Sequence, residues 1–252
     1  MTKLTDKIHS IDGLDHPFGI YITPYIFEED GPEDLTLIDT CYQAELPKLL
    51  SRFTDEGYDI KNVKRLILTH THVDHVQAAN EVKKITNAKV YSHWIEAGFL
   101  NNDPPYYGPP SHEALGKKLA DLGIKEEQVE KKFGSLARDP VVADYWLSEG
   151  DKVGRLKVIH SPGHTLGHMS LYSEEDGAVI GGDFLFKDVL GSDGLFLPKW
   201  VSIDPVLAGV SARRIAQLHF DKLLLGHQNE PLLDKNAPAE VEKAANQLLK
   251  RS

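Results

Sequence analysis

An α/β domain of two sheets covered outside by helices is the fold class that this sequence predicts. Three observations carry that prediction. Each half of the chain holds strand-like segments followed by helix-like ones. No low-complexity tract or short-period repeat separates the halves. A chain of 252 residues with 41% apolar side chains can bury a core large enough for one such domain, read here as spanning 1–252.

The elements follow in order. Phe18, Ile20 and Ile22, then Tyr25 and Phe27, alternate as a strand does, with a break at Pro24. A turn through Glu28-Glu29-Asp30-Gly31-Pro32 leads to a second strand, Leu35-Thr36-Leu37-Ile38. Leu46, Leu49, Leu50 and Phe53 make one stripe of a helix over 43–56, with Gly57 just past its end. Val63 to Leu68 is a short buried strand that delivers the chain into Thr69-His70. Val76, Ala79, Val82 and Ile85 then have helical spacing, and Lys89 to Tyr91 completes a strand–helix–strand unit. The Asn- and Pro-rich start of 101–140 cannot be a regular helix, and two charged amphipathic helices, about 111–122 and 125–133, follow it. This segment is read as a helical insertion that covers a site or mediates a homodimer, with a plain surface excursion as the alternative. Strands return at Arg155 to His160, Met169 to Ser173 and Ala178 to Ile180. A helix over 205–218, a strand at Lys222 to Leu225 and a helix over 238–250 close the chain.

Composition narrows the partners. The formal net charge of −10 repels polyanions at long range, and the basic pairs Lys117-Lys118, Lys131-Lys132 and Arg213-Arg214 read as solvated helix faces. No nucleic acid is therefore expected. No apolar run approaches the ~20 residues of a membrane span, so no membrane is expected either. The N-terminus shows no secretory signal, and Cys41, the single cysteine, rules out an intrachain disulfide. A cytoplasmic location is the default expectation, with a small molecule as the substrate.

The residues that carry chemistry are concentrated. Thr69-His70-Thr71-His72-Val73-Asp74-His75 stands directly after a strand, and a neutral imidazole or a carboxylate is a good ligand for Zn²⁺ and similar ions. Such density is not accidental in a chain with 12 histidines. In extended backbone His70 and His72 project to one side and can share an ion, while Asp74 and His75 lie at a turn into a helix and can reach a second. Four ligands cannot complete two sites. Ser161-Pro162-Gly163-His164, Gly181-Gly182-Asp183 and Gly226-His227 each place a further ligand after a strand, beside small residues that permit close backbone approach.

This run, followed by His164, Asp183 and His227 in that order, resembles the metallo-β-lactamase-fold hydrolase superfamily, with a match from about Ile38 to His227. The resemblance implies a four-layer αββα sandwich with its site at one edge of the sheets. It implies that His70, His72 and His164 hold a first metal, that Asp74, His75 and His227 hold a second, and that Asp183 bridges them. Asp39 stands where the family carries a buried aspartate behind the ligands, although Cys41 replaces the usual glycine two residues on. Two divalent ions ~3.5–4 Å apart would share a water and lower its pKa, giving a bridging hydroxide, with Asp74 as general acid–base. Zn is the first expectation for both ions, with Fe, Mn or Co accepted by the same ligands.

Other residues receive structural readings. His168 is taken as packed or as orienting a neighbour, and His93 as lining the cleft or capping a helix. His9, His16, His112, His160 and His219 are taken as ordinary structural histidines. Phe186, Phe196, Trp200, Tyr106 and Tyr107 are divided between an apolar substrate wall and core packing.

The ligand set also narrows the reaction. A bridging Asp183 is similar to glyoxalase II-type thioesterases, lactonases and processing nucleases, and unlike true β-lactamases, which place Cys or Ser there. Glyoxalase II adds a C-terminal helical domain, whereas only residues 228–252 follow His227. Lactonases of this fold place a tyrosine three residues after the bridging aspartate, where Phe186 stands. The acidic balance argues against a phosphodiesterase or nuclease. The expectation is a dinuclear hydrolase of carboxylic ester, lactone or thioester bonds, promiscuous among them. The rival is a mononuclear iron persulfide dioxygenase of the same fold, but Phe184 to Asp193 lacks that group's Gly-Arg-Thr-Asp-type segment.

Overall fold

The structure is a computed structural model that describes residues 1–100 and 140–250, with a few positions between 120 and 131. The chain begins with Thr2–Lys3 (β1) and Ile8–Ser10 (β2), then a small hairpin of Leu14–Asp15 (β3) and Tyr21–Ile22 (β4). Tyr25–Glu28 (β5) and Leu35–Ile38 (β6) follow, and helix α1 (Leu46–Asp55) leads to Val63–Leu68 (β7). Helices α2 (Val73–Val76) and α3 (Ala79–Thr86) lead to Lys89–His93 (β8), then α4 (Trp94–Leu100) and Tyr145–Leu147 (β9). The first sheet has the order β1-β2-β5-β6-β7-β8-β9, antiparallel as far as β6 and parallel beyond it.

The second sheet is built from Lys152–Val153 (β10), Leu156–His160 (β11), Met169–Ser173 (β12) and Ala178–Gly182 (β13). An outlying hairpin, Phe186–Lys187 (β14) and Leu195–Phe196 (β15), precedes α5 (Pro205–Ile215). Lys222–Leu225 (β16), Leu232–Leu233 (β17) and α6 (Ala237–Lys250) complete the chain. The order is β10-β11-β12-β13-β16-β17, with only β13 and β16 parallel.

Local chemistry explains where the helices start and stop. Asp204 caps α5 by accepting from the Val206 and Leu207 amides, and Pro205 fits the first turn, where no amide proton is needed. Helix α3 ends at Asn87, whose φ of 56° is the left-handed cap conformation, with its amide on the Lys83 carbonyl.

Alternation along the strands builds three apolar interfaces. In β7, Leu66 and Leu68 face the α1 and α3 side with Phe53 and Val82, while Ile67 faces the other sheet. Tyr25, Phe27, Ile38 and Ile67 meet Val158, Leu171, Ile180 and Leu224 between the sheets. Val179, Leu223 and Leu225 pack outward under α5 and α6 against Ile215 and Val241. The result is the four-layer αββα sandwich. Strands β6, β7 and β8 run parallel, and β11, β13 and β16 share one direction in the other sheet. Within each sheet, the loops that leave these strands therefore gather at one edge.

Some expected boundaries shift. Phe18 and Ile20 belong to the turn of the β3–β4 hairpin, because Gly19 adopts φ 71° and the chain folds back there. The helix expected from His75 to Ile85 is two helices. Between them the Ala78 amide bonds to the Cys41 carbonyl, and the Gln77 side chain accepts from the Gln43 amide. The 101–140 insertion, with its two expected helices and Tyr106 and Tyr107, lies almost wholly outside the described residues. Among the described residues, no helix is long and apolar enough to cross a membrane.

Candidate metal centre

Two clusters of ligand atoms meet at the strand-end edge. His70, His72, His164 and Asp183 form the first, with their ligand atoms within 4.8 Å of one another. His75, Asp183 and His227 form the second, and Asp74 and His227 form a further group with His16. All seven ligand candidates are buried. His70 and His72 leave β7 on extended chain, and His72 precedes the first turn of α2, which carries Asp74 and His75. His164, Asp183 and His227 follow β11, β13 and β16.

Small residues make the approach feasible. A Cβ on Gly226 would lie 2.3 Å from Asp183 Oδ1, and one on Gly163, at φ 135°, would lie 2.2 Å from the Ala208 nitrogen. Neither position tolerates a side chain without moving the site.

Hydrogen bonds behind the clusters decide which ring nitrogen faces inward. His75 donates Nδ1–H to Asp39 Oδ2 at 2.9 Å, and His227 donates Nδ1–H to the Tyr21 carbonyl at 2.8 Å. The Thr69 hydroxyl gives its proton to Asp39 Oδ2 at 2.7 Å, so its oxygen accepts from His70 Nδ1 at 3.0 Å. A neutral imidazole carries one proton, so in their neutral, ligand-competent form all three rings turn an unprotonated Nε2 into the site. The Nε2 atoms of His70, His75 and His164 are buried without a hydrogen-bond partner among the described residues.

Those lone pairs face carboxylates. His227 Nε2 lies 3.0 Å from Asp74 Oδ2, and His75 Nε2 lies 3.4 Å from Asp183 Oδ1. Asp183 Oδ2 is 3.4 Å from His227, 3.5 Å from His164 and 3.9 Å from His70, so this carboxylate touches both clusters. As neutral ligands these rings set acceptor against acceptor, so positive charge must lie between them, supplied by metal ions or, at His75 and His227, by protons that the carboxylates favour. The donor set therefore fits metal ions.

Electrostatics divide the ligand histidines into two kinds. Burial pushes His70 and His164 well below the usual imidazole range, reinforced by neighbouring histidines. Burial also opposes charge on His227, but Asp183 and Asp74 outweigh it and hold this imidazole up at about 10. His75 is raised well above its ordinary value, against burial, by Asp183, Asp74 and Asp39. Asp74 and Asp183 are held well below the carboxylate range, against burial, chiefly by His75 and His227 respectively.

Asp39 sits behind the clusters at φ 59°, a conformation uncommon for a residue with a side chain. Its Oδ1 accepts the Thr69 amide at 2.8 Å, while Oδ2 serves Thr69 and His75, so one carboxylate orients ligands of both clusters. His168 stays out of the clusters. Its Nδ1 bonds to Ser161 Oγ and its Nε2 accepts the Asp183 amide at 2.9 Å, which fixes the backbone of Asp183. His93 ends β8, accepts the Ile95 amide at the start of α4 and stacks on His160 at 4.2 Å.

Two site residues carried no signal in the sequence. His16, read as an ordinary histidine, is buried against Asp74, with Nε2 3.5 Å from Oδ2. Glu96, on α4, is fully enclosed and accepts from Thr71 Oγ1 at 2.6 Å and from the Gly167 amide at 2.8 Å. Thr71 stands between His70 and His72, and Gly167 belongs to the loop that carries His164, so Glu96 joins the two loops of the first cluster.

Fold and site define a metal-centred enzyme fold, and the match to known families names it. Residues 20–227 match the family model described as the metallo-beta-lactamase superfamily, and the chain belongs to that superfamily. The chain is similar to the probable metallo-hydrolase YflN of Bacillus subtilis (strain 168), with 29% identity over 86% of this chain and 83% of that protein. It is 28% identical to the hydroxyacylglutathione hydrolase GloC of Haemophilus influenzae over 64% of this chain, spanning 66% of GloC. A metallo-beta-lactamase family protein from Thermus thermophilus shares the fold at TM-score 0.68 and 25% identity, covering 99% of this chain and 80% of that one.

Proposed function

We propose that the chain is a dinuclear metal-dependent hydrolase of carboxylic ester, lactone or thioester bonds. The observation that carries this reading is Asp183, one buried carboxylate set between two groups of inward-facing Nε2 atoms. In this reading His70, His72 and His164 hold the first ion, Asp74, His75 and His227 hold the second, and Asp183 bridges. Zinc is the ion first expected for such a donor set, and iron, manganese or cobalt are accepted by the same ligands. When bound, the ions supply an activated water and polarise the scissile carbonyl.

The protein's own groups do the rest. Asp74 Oδ2 faces His227, His75 and His16, so Oδ1 is the oxygen we assign to orienting the attacking water and passing its proton to the leaving group. Phe186 lies 4.8 Å from the His227 ring and 6.3 Å from His164, and it clusters with Ile20, Val189 and Val201. The half-buried Phe18, Phe196 and Trp200 extend this apolar surface. We assign it to the substrate's acyl side and to exclusion of water around the scissile bond. The likeness to GloC supports thioesters as the first bond type to try.

The test is metal content per chain on protein purified without added metal, alongside a panel of lactone, thioester, aryl ester and β-lactam substrates. Two ions per chain with turnover of the first three classes is the expected result. A single iron with no hydrolysis would replace this reading with the persulfide dioxygenase.

A further inference from the structure

His16 belongs to the site by position but differs from the ligands in its hydrogen bonding. It sits at the tip of the β3–β4 hairpin, where its amide bonds to the Ile20 carbonyl and its carbonyl accepts from Gly19. The Phe18 amide donates to His16 Nδ1 at 3.2 Å. This is the reverse of His70, His75 and His227, whose Nδ1 atoms donate. With Nδ1 accepting, the single proton of the neutral ring stays on Nε2. Ligation through Nε2 would need a proton on Nδ1 and would set it against the Phe18 amide.

We propose that His16 is a positioning residue of the second cluster, acting as a hydrogen-bond donor to Asp74 and not as an additional ligand. The same hairpin holds His227, since Tyr21, at the start of β4, supplies the carbonyl that accepts from its Nδ1. One strand pair thus aims both groups: His16 orients the Asp74 carboxylate, and Tyr21 orients the His227 ring. The His16 and His227 rings meet edge to face at 5.1 Å, and Phe18 and Tyr42 enclose His16 at 4.9 and 5.7 Å. Held between these rings, His16 places Nε2 3.5 Å from Asp74 Oδ2, the carboxylate its N–H faces.

The role assigned to Asp74 rests on the hydrolase reading, but the protonation pattern does not, and the experiment separates the two. Long-range ¹H–¹⁵N correlation on protein labelled at histidine reads the tautomer of each ring, with His16 identified by its absence in His16→Gln. The expected result is the Nε2–H tautomer of His16 both metal-free and after titration with Zn²⁺, and Nδ1–H with a zinc-shifted Nε2 for His70, His75 and His227 once Zn²⁺ is bound. A zinc-shifted Nε2 on His16 would overturn the proposal in favour of a ligand. His16→Leu should retain the wild-type zinc stoichiometry and lower kcat about tenfold with KM little changed, the scale of lost support behind a metal site. His16→Gln, whose amide can still donate, should recover most of that loss. Loss of a zinc ion in His16→Leu, or an unchanged kcat, would each contradict the positioning role. If the unaltered protein hydrolyses nothing in the panel, the hydrolase reading falls while the tautomer measurement still decides for or against the donor.

Discussion

The two ligand clusters use the same imidazole chemistry and respond to protons in opposite ways. In the first, histidines outnumber carboxylates, and burial with mutual repulsion keeps His70 and His164 neutral. In the second, three carboxylates, Asp183, Asp74 and Asp39, surround His75 and outweigh its burial. Anchoring differs as well. His75 and His227 are each held through Nδ1 by a named acceptor, whereas His164 has no hydrogen bond at either ring nitrogen among the described residues. The first cluster is thus poised to accept a cation without shedding protons but depends on its loops for geometry. The second is rigidly held but must lose protons as a cation enters.

The largest effect expected is the loss of what the clusters share. Asp183→Ala should reduce turnover by roughly three orders of magnitude and remove at least one ion, with far-ultraviolet circular dichroism unchanged. Full activity with two ions still bound would break the comparison, because no carboxylate would then be common to both. Splitting the clusters comes next. His164→Ala should weaken the first ion more than the second, and His227→Ala the reverse, as read by metal content after dialysis against graded chelator. Equal losses in both variants would mean that the ions bind as one unit.

The pH dependence sharpens the contrast, and its sign follows from the shifts. In the metal-free protein His227, held up at about 10, and His75, also raised, are protonated at neutral pH. A cation entering the second cluster must displace those protons, so its apparent affinity should rise about tenfold per pH unit for each proton released, until the pH passes about 10. His70 and His164 are lowered and already neutral, so the first ion's affinity should be nearly flat across the same range. Competition titrations of Zn²⁺ at pH 6, 7 and 8 would check this, with equal slopes for both ions as the contrary result.

How much of this was legible in the sequence depends on whether a residue's partners are local. The run from His70 to His75 declares itself by density, and His164, Asp183 and His227 by their position after strands with glycine beside them. Strands β7, β11, β12 and β16 were visible because they are buried apolar segments of four to six residues. Strands β1 to β4 are two or three residues long, too short for any periodicity. Asp39 could be picked out only through the family resemblance, since its three hydrogen bonds reach residues thirty or more positions away. His16 has partners at 74 and 227, and its neighbours Pro17, Phe18 and Gly19 suggest only a turn. Glu96 follows Trp94-Ile95 between a strand and an Asn- and Pro-rich stretch, where an acid is normally solvated. The structure buries it instead.

That burial gives the smallest and most selective prediction. Burial raises the Glu96 carboxyl above its usual range, although donors from Thr71 and Gly167 pull the other way. Its bonds to Thr71 and Gly167 tie the His70–His72 segment to the loop of His164, whose ring has no hydrogen-bond partner among the described residues. Glu96→Gln keeps the shape but sets an amide N–H against one of those donors, which disturbs the spacing of His72 and His164, now 4.4 Å between ring centroids. The expected outcome is a roughly tenfold loss of affinity for the first ion, with the second unchanged. In Co²⁺-substituted protein, the visible absorption of the first site should broaden while that of the second stays as it was. A fall in metal-free melting temperature with both affinities intact would instead mean that Glu96 only braces the fold, and that the first cluster holds its geometry without support from behind.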